Sequence, residues 1–295
     1  MMVSIVIVHY KVKEEIFACL QSINKSITSY PYEIIVVDND EKPTIEKELK
    51  LVFPTVQYIK SSKNVGFGAG NNLGASYAKG DFLFFLNPDT FVYPQAIDIL
   101  ANFLLREKNY GVVAPLLLDN SNRICPQQGS QCLGVIEGIV ALSFLNKLFH
   151  NNYISKKYFL NGWDKKNVKE VDVAPGTALM IKKEIFNKAG KFDEQLFLYF
   201  EEFDLCKRVK NLGYRIFINP QAKVKHVWGA STRASNLNLN QIFKESRFYY
   251  FKKHYGLLPA FIVEIFTRFN KIDLLLGFIL ILAIFLFFRT LVHSK

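Results

Sequence analysis

Over the first 120 residues the apolar positions follow two alternating rhythms, short unbroken runs and longer stretches at helical spacing. "VSIVIVHY" (3–10) is β-branched and apolar at consecutive positions, which predicts a strand buried on both faces of a parallel sheet. Ile16, Leu20 and Ile23 follow at i, i+4 and i+7 and predict a helix. "YEIIVVDND" (32–40) reads as a second buried strand ending in acids and Asn, "TIEKELKLV" as a short helix and "VQYIK" as a third strand. "NVGFGAGNN" (64–72) is a glycine loop opening a helix through Tyr77 and Ala78, closed by Gly80. "DFLFFLNPDT" (81–90) is a strand ending in a polar turn. Pro94 then opens a helix with Ile97, Leu100, Ala101 and Leu104 on one face, and "YGVVAPLLL" is a further strand. This order predicts an α/β fold, a mostly parallel sheet with right-handed crossovers and flanking helices. Ligands of such sheets sit outside the carboxyl ends of the strands, where Asp38, Asp40, Asn87 and Asp89 fall.

From 121 to 170 the rhythm loosens. "NRICPQQGSQC" reads as a loop, "VIEGIVALSFLNKLF" (135–149) as one apolar helix and "NNYISKKYFLNGWDKKN" as a polar excursion, together a place for substrate-specific loops. "VDVAPGTALMIKKEIF" (171–186) restores a strand and a short helix closing near Gly190. In "LFLYFEEFDLC" (196–206) Glu201, Glu202 and Asp204 open a helix whose apolar face is Leu205, Val209 and Leu212, with Gly213 closing it. Acids suit the positive end of a helix dipole. Their placement directly after an apolar run sets them against a buried wall, where an ionised carboxylate is costly.

The tail brings charge into the picture. Of the net +11, residues 231–295 hold nine Lys/Arg against three Asp/Glu. The same tail carries "LLLGFILILAIFLFF" (274–288), fifteen residues without a charge. At about 1.5 Å per residue it covers about 22 Å, short of a hydrocarbon core of about 30 Å. Extension from Ile272 past a snorkelling Arg289 to Val292 permits a span, and an in-plane anchor or a buried core helix stays open. The preceding 233–271 segment mixes aromatics with Lys/Arg, as at a lipid interface. The basic tail therefore points to an anionic membrane surface, and no nucleic-acid motif accompanies the charge. Cys19, Cys125, Cys132 and Cys206 show neither CxxC nor zinc spacing and are expected as reduced thiols. The absence of a signal-peptide pattern at "VSIVIVHY" places the catalytic part in the cytoplasm.

Individual motifs are ambiguous. "LNPDT" (86–90) suits either a hard cation held by a carboxylate or an ordinary Asx turn. The glycine loop fails the strict G-x-G-x-x-G spacing, because Leu73 stands where the third glycine belongs, which disfavours a dinucleotide oxidoreductase. His226, after a strand-like run, is either structural or a nitrogen ligand to an Asp89-bound metal.

Taken together and in this order, the stretches resemble the family 2 glycosyltransferases, inverting enzymes of the GT-A fold, and within them the rhamnosyltransferase-like branch. The likeness covers residues 3–232. It implies a GT-A catalytic domain over 1–232 with variable acceptor-side loops at 121–170, an interfacial segment at 233–271 and a membrane-associated helix at 272–292. His9, Tyr10 and Asp38, with Asn64, Gly66, Asn71 and Asn87, are implied to bind the donor nucleotide. Asp89 and His226 are implied to hold a divalent cation, Mn²⁺ or Mg²⁺, and Glu202 to act as general base. Gly176, Thr177, Glu201, Asp204 and Trp228 are placed on the acceptor side. Two positions depart from the family pattern: Lys11 stands where Asn is usual and Glu202 where Asp is usual. The implied partners are a nucleotide-sugar donor and a glycan or lipid-linked acceptor, met at the cytoplasmic face of the membrane. A polyprenyl-phosphate acceptor and a non-catalytic carbohydrate-binding role are the rival readings.

Overall fold

The computed structural model describes residues 1–26, 28–43, 45–149, 151–227, 229 and 237–268. The apolar runs form strands β1 (Val3–His9), β2 (Tyr32–Asp38), β3 (Gln57–Lys60), β4 (Phe82–Leu86), β5 (Thr90–Val92), β6 (Tyr110–Leu118), β7 (Lys169–Val171), β8 (Ala178–Lys182) and β9 (Arg215–His226). The helical stretches form α1 (Lys13–Lys25), α2 (Glu46–Val52), α3 (Phe67–Tyr77), α4 (Ala96–Leu105), α5 (Val135–Ala141), α6 (Phe144–Leu148), α7 (Tyr153–Tyr158), α8 (Lys183–Lys188), α9 (Glu201–Asn211), α10 (Leu239–Tyr255) and α11 (Leu257–Arg268).

The strands of the described residues make one sheet in the order β3-β2-β1-β4-β8-β6-β9-β5, with β7 pairing on β9. β3, β2, β1 and β4 are mutually parallel. Beyond them the sheet is mixed: β8 runs antiparallel to β4 and β6, while β9 is parallel to β6 and antiparallel to β5 and β7. The reversal has a simple cause. β7 first runs back along β9, and the chain then returns to the carboxyl edge, so β8 starts opposite Leu86 and runs back as well. That reversal brings Gly176 and Thr177, the residues before β8, to the edge where β4 ends.

Alternation along β1 divides the core. Val3, Ile5 and Ile7 join Ile16, Leu20, Leu49 and Leu100 on one face. Val6 and Val8 join Val37, Ala75, Phe186, Leu205 and Val209 on the other. Helices therefore cover both faces, as continuous apolar strands require. α3 lies almost flush on β1 because of Gly74: a β-carbon there would meet Val6 Cγ1 at 2.4 Å and Val37 Cγ2 at 3.1 Å.

Several sequence expectations shift. The helix expected over 135–149 divides into α5 and α6, because Ser143 accepts a hydrogen bond from Leu145 N (3.1 Å) and caps a new start. α3 ends at Tyr77, and Ala78 is already extended. Gly80 instead sits where any side chain would strike the Met2 carbonyl. Leu212 is exposed, and Cys206 takes its place beside Leu205 and Val209 on the buried face of α9. The four cysteines are all free thiols.

The chain divides into two compact units, Met1–Cys132 with Phe159–Arg247, and Leu133–Tyr158 with the chain from Phe248. The expected loop region 121–170 is thus split. Its first part belongs to the sheet unit, where buried Gln128 bonds both the amide and the carbonyl of Leu117 (2.8 and 2.7 Å). In the second unit Gly138 packs under the Phe251 ring, and Tyr250 and Tyr255 both donate to the Leu133 carbonyl. Among the described residues no helix is long and apolar enough to cross a membrane. The membrane-associated helix expected at 272–292 lies outside the described residues, as does Trp228.

Candidate active site

The parallel register sets His9 level with Asp38 at the carboxyl edge of β1 and β2. The two residues after β2 complete a buried polar knot. His9 Nε2 lies 3.2 Å from Asp40 Oδ2, and the Lys11 amide donates to Asp40 Oδ1 (2.7 Å). Asp38 Oδ1 accepts from the Asp40 amide (2.9 Å) and Oδ2 from the Tyr58 hydroxyl (2.6 Å). Lys60 Nζ donates to the carbonyls of Asp38, Asp40 and Ser61. Burial holds the His9 imidazole below its ordinary pKa, against the pull of Asp40 and Asp38, so it is neutral. His9, Asp38 and Asp40 offer ligand atoms within 4.8 Å of one another. All four carboxylate oxygens nonetheless lie within hydrogen-bonding distance of protein nitrogen or hydroxyl groups, so the knot is a rigid rim rather than an open cation cage. Tyr10 is half-buried beside it, with Lys11 Nζ 5.2 Å from its ring centre. Lys11 itself adopts φ 56°, the left-handed region that Asn enters far more readily.

The glycine loop closes the next side. Asn64 Oδ1 accepts from the Gly66 amide (3.1 Å) and from Asn39 Nδ2 (3.4 Å), which also donates to the Gly66 carbonyl (3.1 Å). Gly66, at φ 88°, lies so close to the Phe197 carbonyl that a β-carbon would stand 2.3 Å from it. Asn71 Nδ2 bonds the Phe67 carbonyl (3.0 Å), leaving its buried Oδ1 without a protein partner.

The turn after β4 carries the second group. Asn87 N donates to the Thr177 carbonyl (2.9 Å), and Thr90 Oγ1 donates to the Asn87 carbonyl (2.7 Å). Antiparallel pairing of β5 with β9 sets Thr90 opposite His226. This brings His226 Nε2 to 3.1 Å from Asp89 Oδ1, both residues 5% exposed. A carboxylate oxygen beside an imidazole nitrogen is a donor set suited to Mn²⁺ or Mg²⁺. The buried Asn87 Oδ1, which has no protein partner, adds an uncommitted oxygen in the same turn. These residues fit a divalent cation.

The third group opens α9. Tyr199 and Phe200 both take left-handed φ values, 71° and 68°, immediately before Glu201. Such strain persists only where packing enforces it; the two rings pack on Phe243 at 5.4 and 5.2 Å. Glu202 then lies against Gly176, where a β-carbon would be 3.5 Å from both its Cβ and Cδ. Gly176 precedes Thr177, which is tied to Asn87, so Glu202 and the Asp89 turn flank one short segment. Burial pushes the Glu202 carboxyl up to about 7, against its own and Phe203's backbone amides. Glu201 is more deeply buried, beside Gly68 of α3. Its carboxyl is raised well above the ordinary range, by burial first and the Glu202 charge second. One oxygen of each carboxylate is buried without a protein partner. Asp204, expected on the acceptor side, is committed elsewhere: fully buried, it binds Arg208 Nε and Nη2 (2.9 and 2.6 Å). Arg208 in turn donates to the carbonyls of Ala189 and Lys191.

The structure thus gathers His9, Asp38, Asn64 and Gly66 at one rim, and Asn87, Asp89, His226, Gly176, Thr177 and Glu202 at another. Of Asn39, Asp40, Tyr58 and Lys60, which build the first rim, sequence reading placed only Asp40 at the ligand edge. The "DND" ending of β2 signalled the first two, but only the β2–β3 pairing reveals Tyr58 and Lys60.

This architecture is the GT-A-like α/β fold. The chain superposes on the crystal structure of GalNAc-T7 with UDP, GalNAc and Mn²⁺ at a TM-score of 0.59 and 15% identity, covering 86% of this chain and 50% of that one. Residues 4–188 match the model of glycosyl transferase family 2, and the chain belongs to that family. Among curated relatives, a low-salt glycan biosynthesis hexosyltransferase of Haloferax volcanii is 26% identical over 217 residues, covering 72% of this chain and 63% of the relative. An N-acetylglucosaminyl-diphospho-decaprenol L-rhamnosyltransferase of Mycobacterium tuberculosis is 23% identical over 219 residues, covering 70% and 69%.

Proposed function

We propose that the chain transfers a hexose or deoxyhexose, rhamnose foremost, from a nucleotide-diphospho-sugar to a hydroxyl of a lipid-linked or cell-surface glycan, inverting the anomeric centre. The observation that carries the reading is the placement of Glu202. A carboxyl titrating at about 7 lies against Gly176, one residue from the Thr177 contact to the turn of Asn87 and Asp89. A base poised near neutral pH beside a donor-phosphate site is what a single displacement on a sugar requires.

In this mechanism Asp38 and the rigid rim around it orient the nucleotide base, and Asn64, Gly66, Asn71 and Asn87 line its path. Asp89 and His226 would hold a divalent cation, which would offset the negative charge of the diphosphate leaving group. Glu202 accepts the proton of the acceptor hydroxyl as that oxygen attacks from the face opposite the leaving group. No enzyme nucleophile takes part. Gly176 leaves room for the acceptor beside Glu202. Glu201, whose carboxyl is raised well above the ordinary range by burial and then by the Glu202 charge, resists carrying a second charge at that point.

The Mycobacterium relative's name supports a lipid-linked acceptor and a rhamnosyl donor, and the Haloferax relative's name supports hexosyl transfer in glycan biosynthesis. The uncharged run 274–288, flanked by Lys and Arg, supports attachment to the cytoplasmic face of the membrane through residues 272–292. A screen of nucleotide-sugars, dTDP-rhamnose included, with and without Mn²⁺ or Mg²⁺, tests the reading. Cation-dependent transfer, or slow hydrolysis, of one donor is expected. Donor binding without turnover on any glycan lipid acceptor would favour a carbohydrate-binding role instead.

A further inference from the structure

Two consecutive left-handed residues, Tyr199 (φ 71°) and Phe200 (φ 68°), lead the chain into α9. Phe200 also supplies the carbonyl of the first helical bond, accepting from the Asp204 amide at 2.9 Å. This pair therefore sets the direction of the first turn, and with it the aim of Glu201 and Glu202. A residue with a β-carbon enters the left-handed region at a cost, so neighbours must enforce both.

The enforcement comes from two helices distant in sequence. At the start of α3 the Phe67 amide donates to the Phe197 carbonyl (2.9 Å). From α10 the Ser246 hydroxyl donates to the Leu198 carbonyl (2.8 Å), and the Phe243 ring meets those of Tyr199 and Phe200. Ser246 is 5% exposed, so its bond is shielded from water and hard to replace. At i and i+3, Phe243 and Ser246 share one face of α10. Both belong to the compact unit that contains the sheet. They fall in the segment expected at a lipid interface, and this face of it is turned to the protein.

We propose that Ser246 and Phe243 are positioning residues for the base: they fix the Leu198–Phe200 turn, which holds Glu202 against Gly176. The two act differently. The hydroxyl pins the Leu198 carbonyl, and the ring fills the space beside Tyr199 and Phe200. The inference rests on the reading of Glu202 as general base. The titratable groups around Glu202 are Glu201 and Cys206 of its own helix, with Tyr199 of the turn beside Glu201. Pro175, Gly176 and Thr177 bring none, and α10 brings Arg247, whose guanidinium lies 5.6 Å from the Phe243 ring centre.

The test compares Ser246→Ala and Phe243→Leu with Ser246→Thr, which keeps the hydroxyl. Both disruptive variants are expected to lose kcat by about tenfold to a hundredfold, since misplacing a reacting group by about 1 Å has that effect. Donor KM should stay within about twofold, because the donor rims are untouched, and Ser246→Thr should retain most of kcat. A lowered Tm with kcat intact would show a merely structural pair and overturn the proposal. A second readout needs no turnover. Glu202→Gln is expected to raise the urea midpoint of the wild type at about pH 8. In the Ser246→Ala or Phe243→Leu background that gain should shrink to about half or less, because the carboxyl is no longer held against burial. A gain that is equal in both backgrounds, or absent from the wild type, would overturn the proposal. Should the wild type turn over no donor, the transferase reading falls and this second readout alone decides the positioning.

Discussion

Replacing Glu202 by Gln is expected to abolish transfer and, at alkaline pH, to stabilise the fold. Gln preserves the side chain's volume against Gly176, so packing changes little. What changes is charge. A carboxyl that titrates at about 7 rather than 4.5 has lost about 3 kcal/mol of preference for its ionised form, at about 1.36 kcal/mol per pH unit. Because Glu202 is only half-buried, solvent screening reduces this to about 1–2 kcal/mol. The sign follows from linkage. Below 4.5 the group is protonated in folded and unfolded chain alike and costs nothing. As pH rises from there to about 7, the unfolded chain gives up its proton first, so folding loses stability, and the loss is complete above about 7. Urea denaturation at about pH 5 and about pH 8 reads the difference. The variant should match the wild type at the lower pH and exceed it by about 1–2 kcal/mol at the higher. Glu201, still buried, leaves part of the alkaline loss in both proteins. Wild-type activity should rise with pH through about 7, the range in which Glu202 becomes a competent base. A variant no more stable than the wild type at pH 8 would refute the claim that Glu202 is ionised against burial; undiminished transfer would remove it from the base role.

Asp89→Ala should weaken donor binding in Mn²⁺ or Mg²⁺ by an order of magnitude or more and leave an EDTA-treated sample unchanged, as isothermal titration would show; equal donor affinity in all samples would refute the cation assignment. Gly74→Ala should cost about 1–3 kcal/mol, since its β-carbon would stand 2.4 Å from Val6 Cγ1, and the loss is read as a lowered urea midpoint. Lys11→Asn should stabilise by about 0.5–1 kcal/mol by relieving the left-handed backbone, with no effect expected if that φ value is not retained in solution. Asp204→Asn should destabilise by about 3 kcal/mol or more, because it leaves the partly buried Arg208 without its carboxylate; calorimetry gives the size.

Most of the fold was legible in the chain because its signals are local. Unbroken apolar runs such as 5–8 and 82–86 read as strands covered on both faces, and the helix periods of Ile16 and Leu100 supply the covers. The acids at the ends of those strands followed directly. Local pattern failed where a neighbour overrode it. Leu212 completes an apolar period yet faces solvent, because α9 ends before turning it inward. The 135–149 run has no proline to break it, and the Ser143 cap breaks it nonetheless. Asp204, expected on the acceptor side, is instead held by Arg208, a pairing that only the folded helix makes visible.

The residue order alone determined the family motifs, the pairing of helix with strand, and which side chains are candidates for the chemistry. Tertiary structure decided which of them meet. Asp89 and His226 are 137 residues apart, and they touch because β5 runs antiparallel to β9 in the one register that sets Thr90 against His226. The Glu202 carboxyl is pushed up to about 7 by burial, beside Gly176, which lies there because β8 starts at the carboxyl edge. Proximity and desolvation depend on the packing of distant segments, and no local pattern contains them.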